Sequence, residues 1–346
     1  MNRILPRDAI TLALLACCAA PALASGPYFT VTSTGSGGMC TVDSMSDADC
    51  TLDAAITAAA SGDHIFFAPS VQGQTITLGS LPLPNLSTSL TIDGSPNGVT
   101  IDGSGKYVVF YVDGGATIVL RRLTIQHGLG NSAGGGLYNS NGNVTIDSCT
   151  FTGNNATVFG GAIDNDGTLL VLNSTFSGNH SGTTSGAIYS GGSTVVANST
   201  FAGNTADNNG GAMYVPGTLT VISSIFAGNS APNGPDFLSG AGNITSLGYN
   251  LVDDTTASNW SAQTGDRLDV DPLLDPALLA GNGGPTRTIA LRPDSPARAG
   301  GDCSGNAGSP TIPPTGVDQR GFARSTPCTI GAFDMTSIFY STFDSP

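Results

Sequence analysis

Glutamate is absent from the 346-residue chain, and lysine occurs only once, at Lys106. All 25 acidic residues are therefore aspartates, and charged residues make up only 10% of the sequence. Because glutamate and lysine are among the residues that favour helices, their scarcity argues against a helical protein. The formal net charge of −14 argues against electrostatic binding to a nucleic-acid backbone. We therefore expect no nucleic-acid partner.

Residues that favour turns and strands replace the missing helix formers. Glycine, with 48 residues, is about twice as frequent as in an average protein. Asn, Asp, Ser and Thr are also abundant, and hydrophobic residues make up 39% of the chain, which is enough for a core. Many β-branched residues between frequent turn residues predict an all-β fold with many corners.

The first 24 residues resemble a secretory signal peptide. Arg3 and Arg7 precede an apolar run over residues 9–20, and a small-residue motif predicts cleavage after Ala24. An alternative is a lipoprotein motif with lipidation of Cys17. No later stretch approaches the ~20 apolar residues of a membrane helix. We therefore expect an exported protein, extracellular or on the outer cell surface, without a transmembrane helix.

Export makes disulfide bonds chemically accessible. Cys40 and Cys50 enclose a short loop, as do Cys303 and Cys328, so these four residues are the disulfide candidates. Cys149 lies inside a repeat, at a position that is serine in the other copies, and we expect it to be free and buried.

A register of 25 residues runs through the middle of the chain. Phenylalanines recur at that spacing, each followed by a Gly-Asn pair, and an isoleucine stands 26 residues before the first of them. These apolar residues are Ile125, Phe151, Phe176, Phe201 and Phe226. The asparagines of the pairs are Asn154, Asn179, Asn204 and Asn229.

Each repeat carries three short apolar segments separated by turn residues. One such coil cannot bury its inward side chains alone, but stacked coils at ~4.8 Å spacing form continuous apolar columns. The register therefore predicts a right-handed parallel β-helix with Ile125 and the four phenylalanines as its core stack. Residues 51–60 are the one good helical candidate, and we expect a short N-terminal capping helix there.

The repeated asparagines have a structural explanation. Asn tolerates the left-handed conformation of a sharp corner, and the preceding Gly relieves crowding. Stacked Asn side chains can also form a hydrogen-bonded ladder from coil to coil. A catalytic role is the alternative, but active sites are seldom copied four times at equal spacing, so we favour the ladder.

The sequence divides into five regions, and the 25-residue register marks the limits of the central one. We expect a signal peptide at 1–24, an N-terminal cap at 25–64 and β-helix repeats at 65–235. The register is lost beyond them, where we expect the last coils and a loop-rich C-terminal cap at 236–334, followed by a tail at 335–346.

Several short motifs resemble those of bacterial choice-of-anchor Q domain proteins. The matching segments are 246–251 (SLGYNL), 282–286 (NGGPT), 318–321 (DQRG) and 330–334 (IGAFD). Residues 50–56 are similar to the N-terminal CSLREA segment, without its usual Arg and Glu, and the repeats are similar to those of polymorphic outer-membrane proteins. The resemblance implies a surface or secreted β-helix with an anchor in its C-terminal tail. It carries no catalytic residues over.

Two classes of function fit this sequence. We favour a non-enzymatic, monomeric protein with an adhesive, matrix or glycan-contacting role, whose partner is an extracellular glycan or a cell-envelope component and which needs no cofactor. The alternative is a calcium-dependent polysaccharide lyase, which would need a group of aspartates around Ca²⁺ and a cationic base. Its candidates are Asp93, Asp102 and Asp113, expected on successive coils, with Arg121 and Arg122 downstream. Turn chemistry alone also explains Asp in the Ile-Asp-Gly motifs.

A third class is surface recognition by outward threonines beside the core stack. The residues are Thr124, Thr150, Thr175 and Thr200. A flat threonine face could bind ice or a sugar lattice, but the neighbouring column decays along the array, so we give this hypothesis less weight.

Overall fold

Three parallel sheets wrap around one apolar core; successive coils contribute nine strands to each of two sheets and six strands to the remaining one. The computed structural model describes residues 27–43, 49–256, 258–302 and 316–335. The signal peptide at 1–24, Ala24, Cys303 and residues 336–346 of the tail lie outside the described residues. Within those ranges the only α-helix is α1, and no helix is long and apolar enough to cross a membrane.

The strands are short and follow one another closely along the chain. In chain order the elements are β1 (Tyr28–Val31), α1 (Leu52–Ala58), β2 (Asp63–Phe67), β3 (Thr75–Thr77), β4 (Leu90–Asp93), β5 (Val99–Asp102), β6 (Phe110–Val112), β7 (Thr117–Arg121), β8 (Leu123–Gln126), β9 (Leu129–Gly130), β10 (Leu137–Asn139), β11 (Asn143–Asp147), β12 (Thr150–Thr152), β13 (Asn155–Ala156), β14 (Ile163–Asn165), β15 (Thr168–Leu172), β16 (Thr175–Ser177), β17 (His180–Ser181), β18 (Ile188–Ser190), β19 (Ser193–Ala197), β20 (Thr200–Ala202), β21 (Thr205–Ala206), β22 (Met213–Tyr214), β23 (Thr218–Ile222), β24 (Ile225–Ala227), β25 (Phe237–Leu238), β26 (Asn243–Ser246), β27 (Leu251–Val252), β28 (Arg267–Leu268), β29 (Leu274–Ala280) and β30 (Thr288–Leu291).

The first sheet has the order β1-β2-β4-β7-β11-β15-β19-β23-β26 and the second β3-β5-β8-β12-β16-β20-β24-β27-β28. The third sheet has the order β6-β10-β14-β18-β22-β25, and a small sheet of β9, β13, β17 and β21 lies between the second and the third along the chain. Every pairing in these sheets is parallel, so the predicted parallel β-helix with coils of about 25 residues is confirmed.

The phenylalanine register forms a stack on the inner side of the second sheet. Phe151, Phe176, Phe201 and Phe226 face one another in register and are fully buried. Their ring centroids are 5.0, 4.6 and 4.7 Å apart, and Ile125 continues the column at its N-terminal end. Stacking at the strand spacing therefore buries one aromatic ring per coil.

The repeated asparagines form a ladder at the corner after the second sheet. Asn154 Nδ2 donates to Asn179 Oδ1 at 2.9 Å, and Asn179 and Asn204 repeat this contact to the next coil at 2.9 Å. Asn229 ends the ladder by donating to a carboxylate oxygen of Asp236 at 2.8 Å. The ladder satisfies polar groups that the stacked coils remove from water.

The left-handed corner residue is the glycine before each ladder asparagine, not the asparagine itself. Gly153, Gly178, Gly203 and Gly228 have φ between +60° and +66°. The expectation that Asn adopts the left-handed conformation at this corner was therefore wrong, because glycine meets no Cβ penalty there. The asparagine side chain is instead fixed by its two neighbours in the ladder.

A second row of polar contacts runs along the corner between the first and second sheets. The amide of Cys149 donates to Ser174 Oγ at 3.1 Å, and Ser174 and Ser199 continue the same contact to the following coil. Cys149 starts this row and is free and buried, as predicted. Burial raises the pKa of its thiol to about 12, so it is inert as a nucleophile.

The N-terminal end carries the predicted helix and disulfide bond. The helix covers Leu52–Ala58, a little shorter than expected, and buries Leu52, Ala55 and Ile56 in the common core. Cys40 and Cys50 are joined with an S–S distance of 2.06 Å. Cys328 is also disulfide-bonded.

The C-terminal region does not simply close the end of the stack. Coils continue to β28, after which an antiparallel hairpin of β29 and β30 begins a segment that folds back along the outside of the β-helix. We call the described residues 272–302 and 316–335 the cap. Gln319 Nε2 donates to Thr150 Oγ1 at 2.9 Å, Thr175 Oγ1 donates to Gln319 Oε1 at 2.6 Å, and the Ala332 amide donates to Thr200 Oγ1 at 3.1 Å. The cap therefore covers the outer face of the second sheet.

Two buried arginines hold the cap together. Arg320 pairs with Asp318 at 2.6 Å, both side chains are 0% exposed, and its guanidinium lies 3.9 Å from the centre of the Phe333 ring. Arg324 donates to Asn173 Oδ1 at 3.0 Å, which joins the cap to the corner of the coils. Burial lowers the pKa of Arg324 to about 10, although nearby aspartates oppose this shift.

Candidate functional site

The three aspartates considered for a calcium site lie in one coil, at three different corners. Asp93 ends β4 in the first sheet, Asp102 ends β5 in the second sheet, and Asp113 follows β6 of the third sheet. The expected arrangement on successive coils is therefore not what the structure has. Across the described ranges there is also no group of three or more His, Cys or acidic side chains that could hold a metal ion.

Each of these charged residues has a partner of its own. Asp93 is only 8% exposed and accepts hydrogen bonds from the Ser95 amide at 2.9 Å and from Arg122 Nη1 at 3.1 Å. Arg121 pairs at the surface with Asp147 at 3.5 Å, so Arg121 and Arg122 form ion pairs with different carboxylates. Asp113 accepts a hydrogen bond from Asn85 Nδ2 at 3.0 Å. The structure does not bring the five residues together.

Asp102 does contribute to a distinct arrangement, with a histidine from the next coil. Asp102 Oδ2 lies 3.0 Å from His127 Nδ1 and accepts a hydrogen bond from Gln126 Nε2 at 2.8 Å. The pair borders an open groove of about 610 Å³ that also includes Ser104 and Asn155. Glycine at position 153 leaves room for the imidazole, since a Cβ there would lie 3.1 Å from His127 Cδ2.

The charge state of Asp102 orients this histidine. Burial raises the pKa of Asp102, but hydrogen bonds from His127, Gln126 and the Ser104 amide outweigh burial and hold its pKa below the usual value. Asp102 is therefore ionised at neutral pH and can accept a hydrogen bond from His127 Nδ1, which orients the imidazole ring. The side chain of His127 is 56% exposed, so the arrangement is a surface Asp–His pair.

The outer face of the third sheet carries a row of aromatic side chains that we call the tyrosine row. Its members are in register on successive strands and are half-buried, except for one aspartate in the middle. In order along the stack they are Tyr111, Tyr138, Asp164, Tyr189 and Tyr214.

Strand alternation explains why these side chains point outward. Ile163 and Asn165 lie in inward columns, so Asp164 between them faces out. The ring centroids of Tyr111 and Tyr138 are 5.1 Å apart and those of Tyr189 and Tyr214 are 5.9 Å apart. The row therefore offers two aromatic pairs on a rigid sheet, with a carboxylate between them.

Asp164 lies deep between its aromatic neighbours. The residue is only 3% exposed, and its Oδ1 has no hydrogen-bond partner. Burial, together with the nearby Asp166 carboxylate, raises the pKa of Asp164 to about 7. Burial also raises the pKa of Asp166, although a hydrogen bond from Tyr138 opposes the shift. A buried carboxylate without a donor is costly, so this position needs an explanation.

The outward threonines of the second sheet are not available for recognition. Thr150, Thr175 and Thr200 are at most 2% exposed because the cap lies over them. Thr124, at 8%, borders a smaller cavity of about 300 Å³ between the sheet and residues 281–287. The less favoured hypothesis of recognition by this threonine face therefore fails for most of the array, because the face is covered.

Sequence reasoning missed both the tyrosine row and the Asp102–His127 pair. The signal for the row was present, since Tyr189 and Tyr214 keep the 25-residue spacing and each directly follows a core residue. The signal for the pair was weaker: His127 lies one residue beyond Gln126, the register partner of Asp102. Both become visible only after the coils are aligned.

Residues 88–258 match the family model described as the right-handed β-helix region. The matched span begins just before β4 and ends after β27, so it covers the coils from β4 to β27 and stops before the cap. No curated protein and no solved structure matches the chain. The parallel coils and this match identify the fold as a right-handed parallel β-helix.

Proposed function

We propose that this protein is a non-enzymatic, glycan-contacting β-helix, and that its contact surface is the tyrosine row. The observation that carries the proposal is four half-buried tyrosines in register on the outer face of the third sheet. Single exposed aromatic residues are common on protein surfaces, but an ordered series on adjacent strands needs an explanation.

The chemistry of the row suits a sugar chain. The C–H face of a pyranose ring is apolar and packs on the face of an aromatic ring, while Tyr hydroxyls can hydrogen-bond at the edge. Neighbouring strands lie ~4.8 Å apart, so a chain that follows the stack would meet a new side chain at each coil. A sheet also holds the rings in place before binding, which lowers the entropy lost on association.

The test is binding of purified protein to a panel of soluble polysaccharides, measured by calorimetry. The double variant Tyr138→Ala/Tyr189→Ala should weaken binding on the order of tenfold or more, because one ring of each pair is removed. Leu170→Ala is the matched control, since Leu170 is half-buried on the outer face of the first sheet. If both variants bind as the wild type does, the tyrosine row is not the contact surface.

Location outside the cell belongs to the same proposal. We infer secretion or display on the outer surface after cleavage following Ala24, with kinship to choice-of-anchor Q proteins and a monomeric state. The Cys40–Cys50 disulfide supports an oxidising compartment. Fractionation of the producing cells, with N-terminal sequencing of the mature protein, tests this. Retention of residues 1–24 in a cytosolic fraction would contradict it.

A calcium-dependent polysaccharide lyase is the second candidate, and the Asp102–His127 pair in its groove is the observation that favours an enzyme. A histidine oriented by a carboxylate is a common general base. Incubation with pectate, alginate and hyaluronan in the presence of calcium, followed by the absorbance of the unsaturated product, tests this candidate. We expect no turnover. Turnover that His127→Ala abolishes would establish the enzyme instead.

A further inference from the structure

We propose that the tyrosine row selects neutral glycans over uronate-containing ones, with Asp164 as the residue that discriminates. The inference rests on the proposed function and specifies the sugar class of that same surface. Its starting point is the unpartnered Oδ1 of Asp164, in the middle of the row and almost completely buried.

Other buried carboxylates in the described chain have donors. Asp93 accepts from Ser95 and Arg122, Asp236 accepts from Asn229, and Asp318 accepts from Arg320. Each of these contacts offsets the cost of removing a charge from water. Asp164 Oδ1 has no such contact, although the side chain lies in register with Tyr138 on one side and Tyr189 on the other. A ligand that displaces the groups covering Oδ1 would supply the missing donor from outside the row.

The donor that fits is a sugar hydroxyl. A glycan stacked on Tyr138 and Tyr189 passes over Asp164, and its hydroxyl groups lie at the ring edges where they can donate to a carboxylate oxygen. A hydrogen bond to a charged acceptor is about twice as strong as one between neutral groups. Stacking on the tyrosines thus positions the hydroxyl donor. The hydrogen bond to Asp164 then stabilises the complex with a sugar that carries a hydroxyl at that point.

The same carboxylate disfavours an acidic sugar. The titratable groups that interact with Asp164 are Asp166, Tyr138 and Tyr189, and no arginine or lysine is among them. A uronate carboxylate at this position would therefore face two carboxylates without a cation to balance them. Like charges brought together in a partly desolvated site cost several-fold in affinity, and more as the site becomes drier.

The experiment compares two hexasaccharides that differ in charge, a cello-oligosaccharide and an oligogalacturonate, by calorimetry at pH 8 with wild-type protein. We expect at least tenfold tighter binding of the neutral chain. Asp164→Asn should reduce this preference several-fold, because the amide keeps an acceptor oxygen but removes the charge. Asp271→Asn is the control, since Asp271 is exposed in the part of the chain before β29 and the substitution changes the net charge equally.

Ionic strength separates the local effect from the overall charge. The Debye length falls from ~8 Å at 0.15 M salt to ~3 Å at 1 M, so repulsion by the whole protein is screened while contact with Asp164 is not. The preference should therefore persist in high salt for the wild type. Equal affinity for both hexasaccharides, or an unchanged preference in Asp164→Asn, would overturn the selection by Asp164 but leave the tyrosine row intact as a binding surface. Absence of binding to either chain would overturn the contact surface itself.

Discussion

The coils and the cap are stabilised in opposite ways. In the coils the main core and corner contacts recur from one coil to the next: the Phe201 ring lies between two identical rings, and the Asn204 amide lies between two identical amides. In the cap every contact is unique, and a few polar side chains such as Gln319 and Arg320 each make several hydrogen bonds. Repetition builds a long rigid surface, and the unique contacts decide which part of that surface is covered.

The difference determines where a partner can bind. The cap closes the outer face of the second sheet over Thr150, Thr175 and Thr200, whereas the third sheet keeps its tyrosines half-buried and accessible. Loss of a cap contact should therefore expose a new face without changing the tyrosine row. Loss of a coil contact should weaken the scaffold beneath both faces.

The largest effect is expected from Arg320→Ala in the cap. The substitution leaves Asp318 buried without its ion-pair partner, which costs about 3–5 kcal/mol. The cap should detach, and limited proteolysis should cut within residues 272–335 while the coils stay folded. Arg292→Ala is the control, because Arg292 and Asp294 form an exposed pair at 3.3 Å and contribute about 0–1 kcal/mol. Equal protease sensitivity of the two variants would contradict the role of Arg320.

A loss of stability of similar size, in the coils rather than in the cap, is expected from Phe201→Ala. The substitution opens a cavity between two buried rings and should lower the free energy of unfolding by about 3–5 kcal/mol. Denaturant unfolding followed by circular dichroism measures it. Val195→Ala on the outer face of the first sheet should change stability much less, since Val195 is only half-buried. An unchanged midpoint for Phe201→Ala would mean that the stack is not the core.

A smaller loss is expected from Asn204→Ala. It deprives Asn179 Nδ2 of its acceptor and the Phe176 carbonyl of its donor, which should cost about 1–3 kcal/mol. Asn233→Ala, at an exposed corner, should have little effect. Thermal unfolding of the two variants gives the comparison. If the exposed asparagine matters as much as the buried one, the ladder does not stabilise the coils.

The smallest effect concerns the C-terminal coils, where Asp236, just before β25, meets Asp253, just after β27. Burial raises the pKa of Asp236 well above its usual value, and Asp253, which shares a hydrogen bond with it, raises it further. Because the folded pKa is raised, the stability from this proton is complete below about pH 4 and is lost as the pH rises through the raised pKa. The melting temperature of the wild type should therefore fall towards alkaline pH.

Asp253→Asn should flatten this pH dependence. The amide can still accept from the Gly228 amide, as Asp253 now does at 2.6 Å, and can donate to an ionised Asp236. Asp164→Asn isolates the contribution of Asp164, whose pKa of about 7 acts in the same direction. A pH profile of Asp253→Asn parallel to that of the wild type would show that the two carboxyls do not share a proton.

Much of the coil architecture could be predicted from the sequence, because a contact that recurs in every coil requires the same residue type at each repeat. The spacing of Phe151 and Phe176, the helix at Leu52–Ala58 and the Cys40–Cys50 bridge all depend on local or periodic patterns. The free, buried state of Cys149 also followed from its alignment with the serines.

The position of the cap could not be predicted in this way. Gln319 and Thr150 are 169 residues apart, their contact occurs once, and neither residue type indicates the other. The burial of Asp164 was equally hidden, since strand alternation places this residue on the outer face of the third sheet. The corner conformation was assigned to the wrong residue because Gly and Asn both favour left-handed backbone, and only the geometry separates them.

The asparagine ladder has a direction. Each side-chain oxygen faces the preceding coil and each nitrogen faces the following one, so the amide dipoles add along the axis and present their positive end at Asn229. The carboxylate of Asp236 meets that end and has oxygens but no amide to offer a further rung. Open parallel stacks are templates for fibre growth, since another chain can add strands to the last coil. The ladder stops at Asp236 while the coils continue to β28, so a chain that added to the last coil would find no asparagine rung of this ladder to extend.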